Sequence, residues 1–153
     1  MSGGVTRFAV RALDALARLL PSPSAGSPAH LATGRHGEEE AYFHLRRLGY
    51  VIVARNYRTP RLRGELDLVA WDGDTLCFVE VKTRSSHAVM PAEAAVDLDK
   101  QRELALVARD YWRRLAGSRP APPTFRFDIV SVYCENKSTP PQVTLFKNAF
   151  AMP

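Results

Sequence analysis

Two alternating runs separated by a short polar break constrain this chain more than any other feature. Leu66 to Trp71 and Leu76 to Lys82 flank Asp72-Gly73-Asp74-Thr75, and alternation on both sides of an Asp-Gly break predicts a β-hairpin. Side chains alternate with period two along a strand, so loop parity decides which residues share a face. Any even-length loop puts Asp67, Val69, Phe78, Glu80 and Lys82 on one face. Leu66, Leu68, Ala70, Cys77, Val79 and Val81 then form the other, which is apolar throughout and must be core. A two-residue Asp72-Gly73 loop sets Glu80 diagonal to Asp67, and a four-residue loop sets the two directly opposite. Either leaves their Cβ atoms ~4.5–8 Å apart, close enough to share one small ligand.

Two carboxylates ~5 Å apart repel by about 3 kcal/mol at an effective dielectric of ~20. A counter-charge is therefore needed, either Lys82 or a divalent cation. Carboxylate oxygens, waters and phosphate oxygens suit Mg²⁺ or Mn²⁺. A lysine beside such a site can orient an attacking water or stabilise charge developing on a phosphate. The plainer alternative is a partly buried ion pair at a strand end, because E-x-K arises often by chance.

Asp67, then twelve residues, then Glu80-Val81-Lys82 resembles the D-x(n)-E-x-K signature of the PD-(D/E)xK nuclease superfamily. The longer string GELDLVAWDGDTLCFVEVKTR resembles the YraN-type family of predicted endonucleases, related to archaeal Holliday-junction resolvases. The resemblance runs from about Gly34 to Phe150. Its supporting segments are Gly37-Glu38, Gly49-Tyr50, Arg55-Asn56-Tyr57-Arg58, Pro91-Ala92-Glu93-Ala94, Arg126-Phe127-Asp128 and Asn148-Ala149-Phe150. What it implies is a restriction-endonuclease-like α/β fold and metal-dependent hydrolysis of DNA phosphodiesters, with branched or flapped DNA as the substrate. On that resemblance Asp67, Glu80, the Val81 carbonyl and Glu38 are expected to hold Mg²⁺ or Mn²⁺. Lys82 is expected to position the attacking water, so the expected catalytic set is Asp67, Glu80, Lys82 and Glu38.

Before the hairpin, residues 36–48 predict a helix stopped by Gly49. Glu38 shares one stripe with Ala41, Leu45 and Leu48. A carboxylate on that inward stripe is costly unless paired, although a first-turn position favours any acid. Residues 46–63 then carry Arg46, Arg47, Arg55, Arg58, Arg61 and Arg63 with no acid among them. Such a run beside a carboxylate site suits a phosphate backbone; a solvated basic face is the alternative. Tyr57 is a candidate for stacking on a base. Arg84 and Lys100 complete the expected nucleic-acid contacts. Formal net charge of +5 and 17 arginines among 21 basic residues agree with a polyanionic partner. No pattern here reads base identity.

After Lys82 come a polar loop and Pro91-Ala92-Glu93, which opens a helical region. The main second helix is expected from an Asp97 N-cap to Leu115, with Leu104, Ala108, Tyr111 and Leu115 as its core stripe. Lys100 and Gln101 lie in its first turn, in reach of a phosphate. Strands follow at 124–133 and 142–147, and Asp128 is expected to be a structural partner for an arginine. The order αβββαββ predicts a mixed sheet flanked by helices.

Residues 1–20 hold an amphipathic helix pattern, with Arg7, Arg11, Asp14 and Arg18 opposite Phe8, Ala12, Ala15, Leu16 and Leu19. Charges interrupt any secretory core. Residues 5–20 are read as a docking extension for a protein or membrane surface, and residues 21–28 as a linker. The domains are thus an extension at 1–33 and a nuclease-like domain at 34–153. A second copy of the chain is a further candidate partner. No 18-residue apolar run predicts a membrane span. Cys77 and Cys134 are expected to be free thiols in a reducing cytoplasm. His30, His36, His44 and His87 show no zinc-ligand spacing, and no glycine-rich phosphate loop or serine elbow is present.

Overall fold

The structure is a computed structural model that describes residues 29–84, 96–135 and 138–153, with only the backbone described at 29–32. Its elements are α1 (Ala29–Arg47), β1 (Val51–Tyr57), β2 (Leu66–Asp72), β3 (Thr75–Arg84), α2 (Leu98–Ala116), β4 (Phe125–Tyr133) and β5 (Gln142–Phe150). The expected order αβββαββ is the order found. Residues 1–28 of the expected extension and linker, His87 and the Pro91-Ala92-Glu93-Ala94 segment lie outside the described residues, while residues 29–33 belong to α1.

The five strands lie in one sheet in chain order, β1-β2-β3-β4-β5. β3 and β4 run parallel, and every other neighbouring pair runs antiparallel. A parallel pair cannot be joined by a tight turn, and α2 lies in the β3–β4 connection. β3 is the central strand and accordingly reads as a near-continuous apolar run, with residues 76–80 all buried.

Both faces of the sheet are covered. On one, Ala41, Tyr42 and Leu45 of α1 pack with Leu68, Ala70, Cys77, Val79, Val130 and Val132. On the other, Leu104, Ala105, Val107 and Ala108 of α2 pack with Val69, Leu76, Phe78, Phe127 and Ile129. The carboxylate-bearing side of the hairpin is therefore as much core as its apolar side. The edge strand β5 stays partly exposed along its length.

Several boundaries differ from expectation for identifiable reasons. α1 begins at Ala29, well before His36. It ends at Arg47, so Leu48 falls outside the helix and is 53 % exposed instead of completing the inward stripe. Gly49 follows at φ +91, a conformation that only glycine adopts cheaply. β1 carries a register shift between Ile52 and Ala54 and a left-handed Asn56 at φ +47. Those irregularities turn Tyr57 towards α2, and Leu66 opposite it goes the same way, out of step with Leu68. α2 starts where expected, with the Asp97 carboxylate accepting from the Lys100 N–H at 2.8 Å.

Candidate active site

The hairpin closes with Asp72 opposite Thr75, leaving Gly73-Asp74 as the loop. Gly73 stands at φ +61, which explains glycine at that position. The register Leu68↔Val79 and Trp71↔Leu76 is that of the four-residue alternative. It puts Glu80 opposite Asp67 at the end of the ladder, on the α2 side of the sheet. Asp67 Oδ2 accepts from the Val81 N–H at 2.7 Å. Its carboxylate thus bridges to the partner strand where the regular backbone pairing ends.

Glu80 is 5 % exposed. Its Oε1 accepts from Lys82 Nζ at 2.9 Å, and Lys100 Nζ of α2 stands 3.7 Å from the same oxygen. Its Oε2 is buried with no hydrogen-bond partner among the described residues. Two cations thus converge on one oxygen of Glu80 and leave the other bare. Lys100 reaches the site because the start of α2 is brought over the end of β3.

Burial, then the charge of Glu80, then the more distant charge of Glu38 push the Asp67 carboxyl up to about 7; the Val81 N–H and Lys100 work against them. The order of causes is informative. Desolvation and like charge dominate a site whose counter-charge is held mainly by the neighbouring acid.

Glu38 stands apart from that pair. Its Oε2 accepts from Asn56 Nδ2 at 2.9 Å, and the same amide donates to Glu65 Oε1 at 3.0 Å. Among the described residues no three His, Cys, Asp or Glu side chains stand close enough together to hold a metal ion. Glu38 contributes charge to the site without joining Asp67 and Glu80 in one cluster. Gly37 explains how α1 comes so near: a Cβ there would lie 1.8 Å from Thr83 Oγ1 of β3.

The basic residues divide into groups. Arg47, Arg61 and Arg63 are exposed. Arg46 donates to the Tyr42 hydroxyl at 3.0 Å, and the Arg55 guanidinium lies over the Tyr42 ring at 4.8 Å, so both are anchored on α1. Arg58 pairs with Glu65. Arg84, at the end of β3, is half-buried, and its Nε finds no hydrogen-bond partner among the described residues. Tyr57 departs from the stacking expectation. Its ring meets Tyr111 edge-on at 4.9 Å and packs against the α2 core, because the kink at Asn56 turns it inwards. Glu65 and Asn56 were not singled out for a role. The signal for Glu65 was its i, i+2 relation to Asp67, which sets both on one side of an extended strand.

A second charged network sits at the hairpin's turn end. Asp128, fully buried, accepts from Arg126 Nε at 2.9 and 3.1 Å and from the Asn148 N–H at 2.8 Å. Arg126 also donates to Tyr50 and Asp72, and Lys147 to Asp72. Lys147 and Arg126 together hold Asp72 down at about 2. Asp128 is the structural partner of an arginine, as its position in the strand pattern predicts. No buried side-chain oxygen of Asp72 or Asp128 lacks a partner among the described residues, in contrast to Glu80 Oε2. Cys77, buried, and Cys134, half-buried, are free thiols. Among the described residues no helix is long and apolar enough to cross a membrane.

A mixed five-stranded sheet between two helices, with paired carboxylates and a lysine at the end of its central hairpin, defines an α/β protein with a nuclease-like fold. Residues 37–132 match the profile of the Uncharacterised protein family UPF0102. The chain belongs to that family, the YraN-type family its signature resembles. It is 50 % identical over 147 residues to a UPF0102 protein of Koribacter versatilis, covering 96 % of this chain and 95 % of that one. A UPF0102 protein of Solibacter usitatus is 49 % identical over 117 residues, 76 % of this chain and 84 % of the relative. One from Caldicellulosiruptor saccharolyticus is 39 % identical over 117 residues, 76 % and 95 % respectively.

Proposed function

We propose that this protein is a metal-dependent endonuclease that hydrolyses phosphodiester bonds in DNA. The observation that carries the reading is the asymmetry of the Asp67–Glu80 pair. Two acids face each other, burial first and the charge of Glu80 second raise the proton affinity of Asp67, and Glu80 Oε2 is buried with no hydrogen-bond partner among the described residues. A bare buried carboxylate oxygen beside a second acid is the donor set a hard divalent cation needs. Asp67, Glu80 and the Val81 carbonyl would hold Mg²⁺ or Mn²⁺, with Glu38 adding negative charge from α1. The chemistry such an ion supplies is Lewis-acid polarisation of the phosphoryl group and neutralisation of its charge.

The side chains divide the remaining work. Lys82, held on Glu80 at 2.9 Å, presents an ammonium N–H that can orient a water for in-line attack. Lys100 adds a second positive charge on the α2 side, where charge develops on the phosphate oxygens. The exposed Arg47, Arg61 and Arg63 supply sequence-independent contacts to the backbone. Branched or flapped DNA is the substrate form the resolvase resemblance favours.

One observation favours a second reading, a nucleic-acid-binding module without catalysis. The Lys82–Glu80 bond already neutralises one acid in the absence of any ion. Cleavage assays on linear, flapped and four-way DNA separate the two, comparing wild type with Asp67→Asn and Lys82→Ala in Mg²⁺, Mn²⁺ or chelator. Cleavage by wild type alone, abolished by chelator, is expected. DNA binding with no cleavage of any form under any metal overturns the nuclease reading.

A further inference from the structure

The connection that leads into β2 holds a concave feature that shares only Arg63 with the contacts proposed above. The connection between β1 and β2 folds around a cavity of about 550 Å³ lined by Arg58, Thr59, Pro60, Leu62, Arg63 and Gly64. Ligand cavities typically span ~300–1,000 Å³, and this one is far larger than an inorganic phosphate requires. Thr59 is 5 % exposed, and its hydroxyl is buried with no hydrogen-bond partner among the described residues. Such a hydroxyl is costly to leave unmet. Arg63, exposed, brings positive charge to the walls, Arg58 brings a guanidinium already paired with Glu65, and Pro60 and Leu62 bring apolar surface. Cationic donors on one part and apolar wall on another complement a phosphate that carries a sugar and a base.

Its placement is equally specific. Gly64 precedes Asp67 by three residues, so the cavity wall is at most ~11 Å of chain from the carboxylate site. A continuous set of polar contacts, Arg58 to Glu65 to Asn56 to Glu38, runs from that wall to the acids around Asp67. A volume of about 550 Å³, open to solvent, accommodates one nucleotide. Taking a nucleotide out of a stack is cheapest where it is already unpaired.

We propose that the β1–β2 loop cavity binds one unstacked nucleotide, phosphate included, of the strand whose backbone lies at Asp67 and Glu80. This rests on the nucleic-acid reading above and adds to it a requirement for an unpaired nucleotide beside the cleaved bond. The test is a titration of the full chain, in chelator, with a deoxynucleoside 5′-monophosphate, followed by backbone amide NMR shifts. Inorganic phosphate and the phosphate-free nucleoside serve as controls.

Shifts are expected to centre on residues 58–64, with both controls binding at least about tenfold more weakly. Arg63→Ala is expected to weaken mononucleotide binding about tenfold, and Thr59→Val about fivefold, in line with one lost hydrogen bond. Arg63 is exposed, so its variant remains informative even where Thr59→Val fails to fold. Shifts scattered over other arginines, unchanged affinity in Arg63→Ala, or inorganic phosphate binding as tightly as the mononucleotide each overturn the proposal. No cleavage is needed for this readout. Mononucleotide binding without DNA cleavage would sink only the nuclease reading, and cleavage without mononucleotide binding only the cavity.

Discussion

Replacing Asp67 by asparagine should stabilise this protein at alkaline pH, the reverse of what loss of a buried hydrogen-bonding acid usually does. The asparagine Oδ1 can still accept from the Val81 N–H, so the hydrogen bond that Asp67 accepts across the hairpin survives. What disappears is a negative charge held against Glu80 in a desolvated setting. Below pH 3.8, the ordinary carboxyl value, Asp67 is protonated in both folded and unfolded chains and costs nothing. Between 3.8 and about 7 the unfolded chain ionises while the native one keeps its proton, so the native state loses ground as pH rises. Above about 7 the cost is complete and constant.

At ~1.4 kcal/mol per pH unit, a rise from 3.8 to about 7 corresponds to roughly 4 kcal/mol. Asp67 is half-buried at a strand end, so solvent screening reduces the expected gain to about 1–3 kcal/mol. In a domain of this size that raises Tm by about 2–10 °C. The assay is thermal unfolding of both proteins from pH 4 to 9 in chelator. The advantage of the variant should be near zero at pH 4, grow through pH 5–7 and level off above. A variant less stable than wild type at pH 8, or a Tm difference independent of pH, would refute the reasoning. Asp67 would then be a structural ion-pair partner.

Three further outcomes follow from the same geometry. Adding Mg²⁺ at pH 8 should stabilise wild type by about 2.7 kcal/mol at a hundredfold excess over Kd, seen as a raised Tm, and leave Asp67→Asn unchanged; equal shifts in both proteins would place the ion elsewhere. Asp128→Ala should lose about 2–4 kcal/mol in urea unfolding, because it leaves the Arg126 Nε–H and the Asn148 N–H unmet while Asp72 and Tyr50 still hold the guanidinium; a loss under 1 kcal/mol would contradict that role. Gly37→Ala should lose about 1–3 kcal/mol despite alanine's better helix propensity, since its Cβ meets Thr83 Oγ1, and Gly37→Ala with Thr83→Ala should recover part of that loss.

What the residue pattern makes legible is what depends on neighbours in sequence. The parity of the Asp72–Thr75 break sets the face shared by Asp67, Glu80 and Lys82, and the Asp97 cap sets the start of α2, so both could be read directly. Lys100 illustrates the limit. Its contact with Glu80 spans twenty residues of sequence and depends on how α2 crosses the sheet, which no local periodicity encodes. Tyr57 illustrates another: alternation fails where a left-handed Asn56 and a register shift break the strand, and the ring turns from solvent into the α2 core.

The comparison that matters most lies between the two ends of the hairpin. At the turn end, Asp72 accepts from Lys147 and Arg126, and Asp128 from Arg126 and the Asn148 N–H, and the effect at Asp72 is to lower the acid's proton affinity. At the other end the same sheet leaves Glu80 Oε2 bare and raises that of Asp67. A sequence that supplies a complete polar network at one pole can supply it at the other. The bare Glu80 Oε2 and the raised Asp67 are therefore local to that pole, and the cation site proposed above would account for them where an ion pair serving stability alone would not.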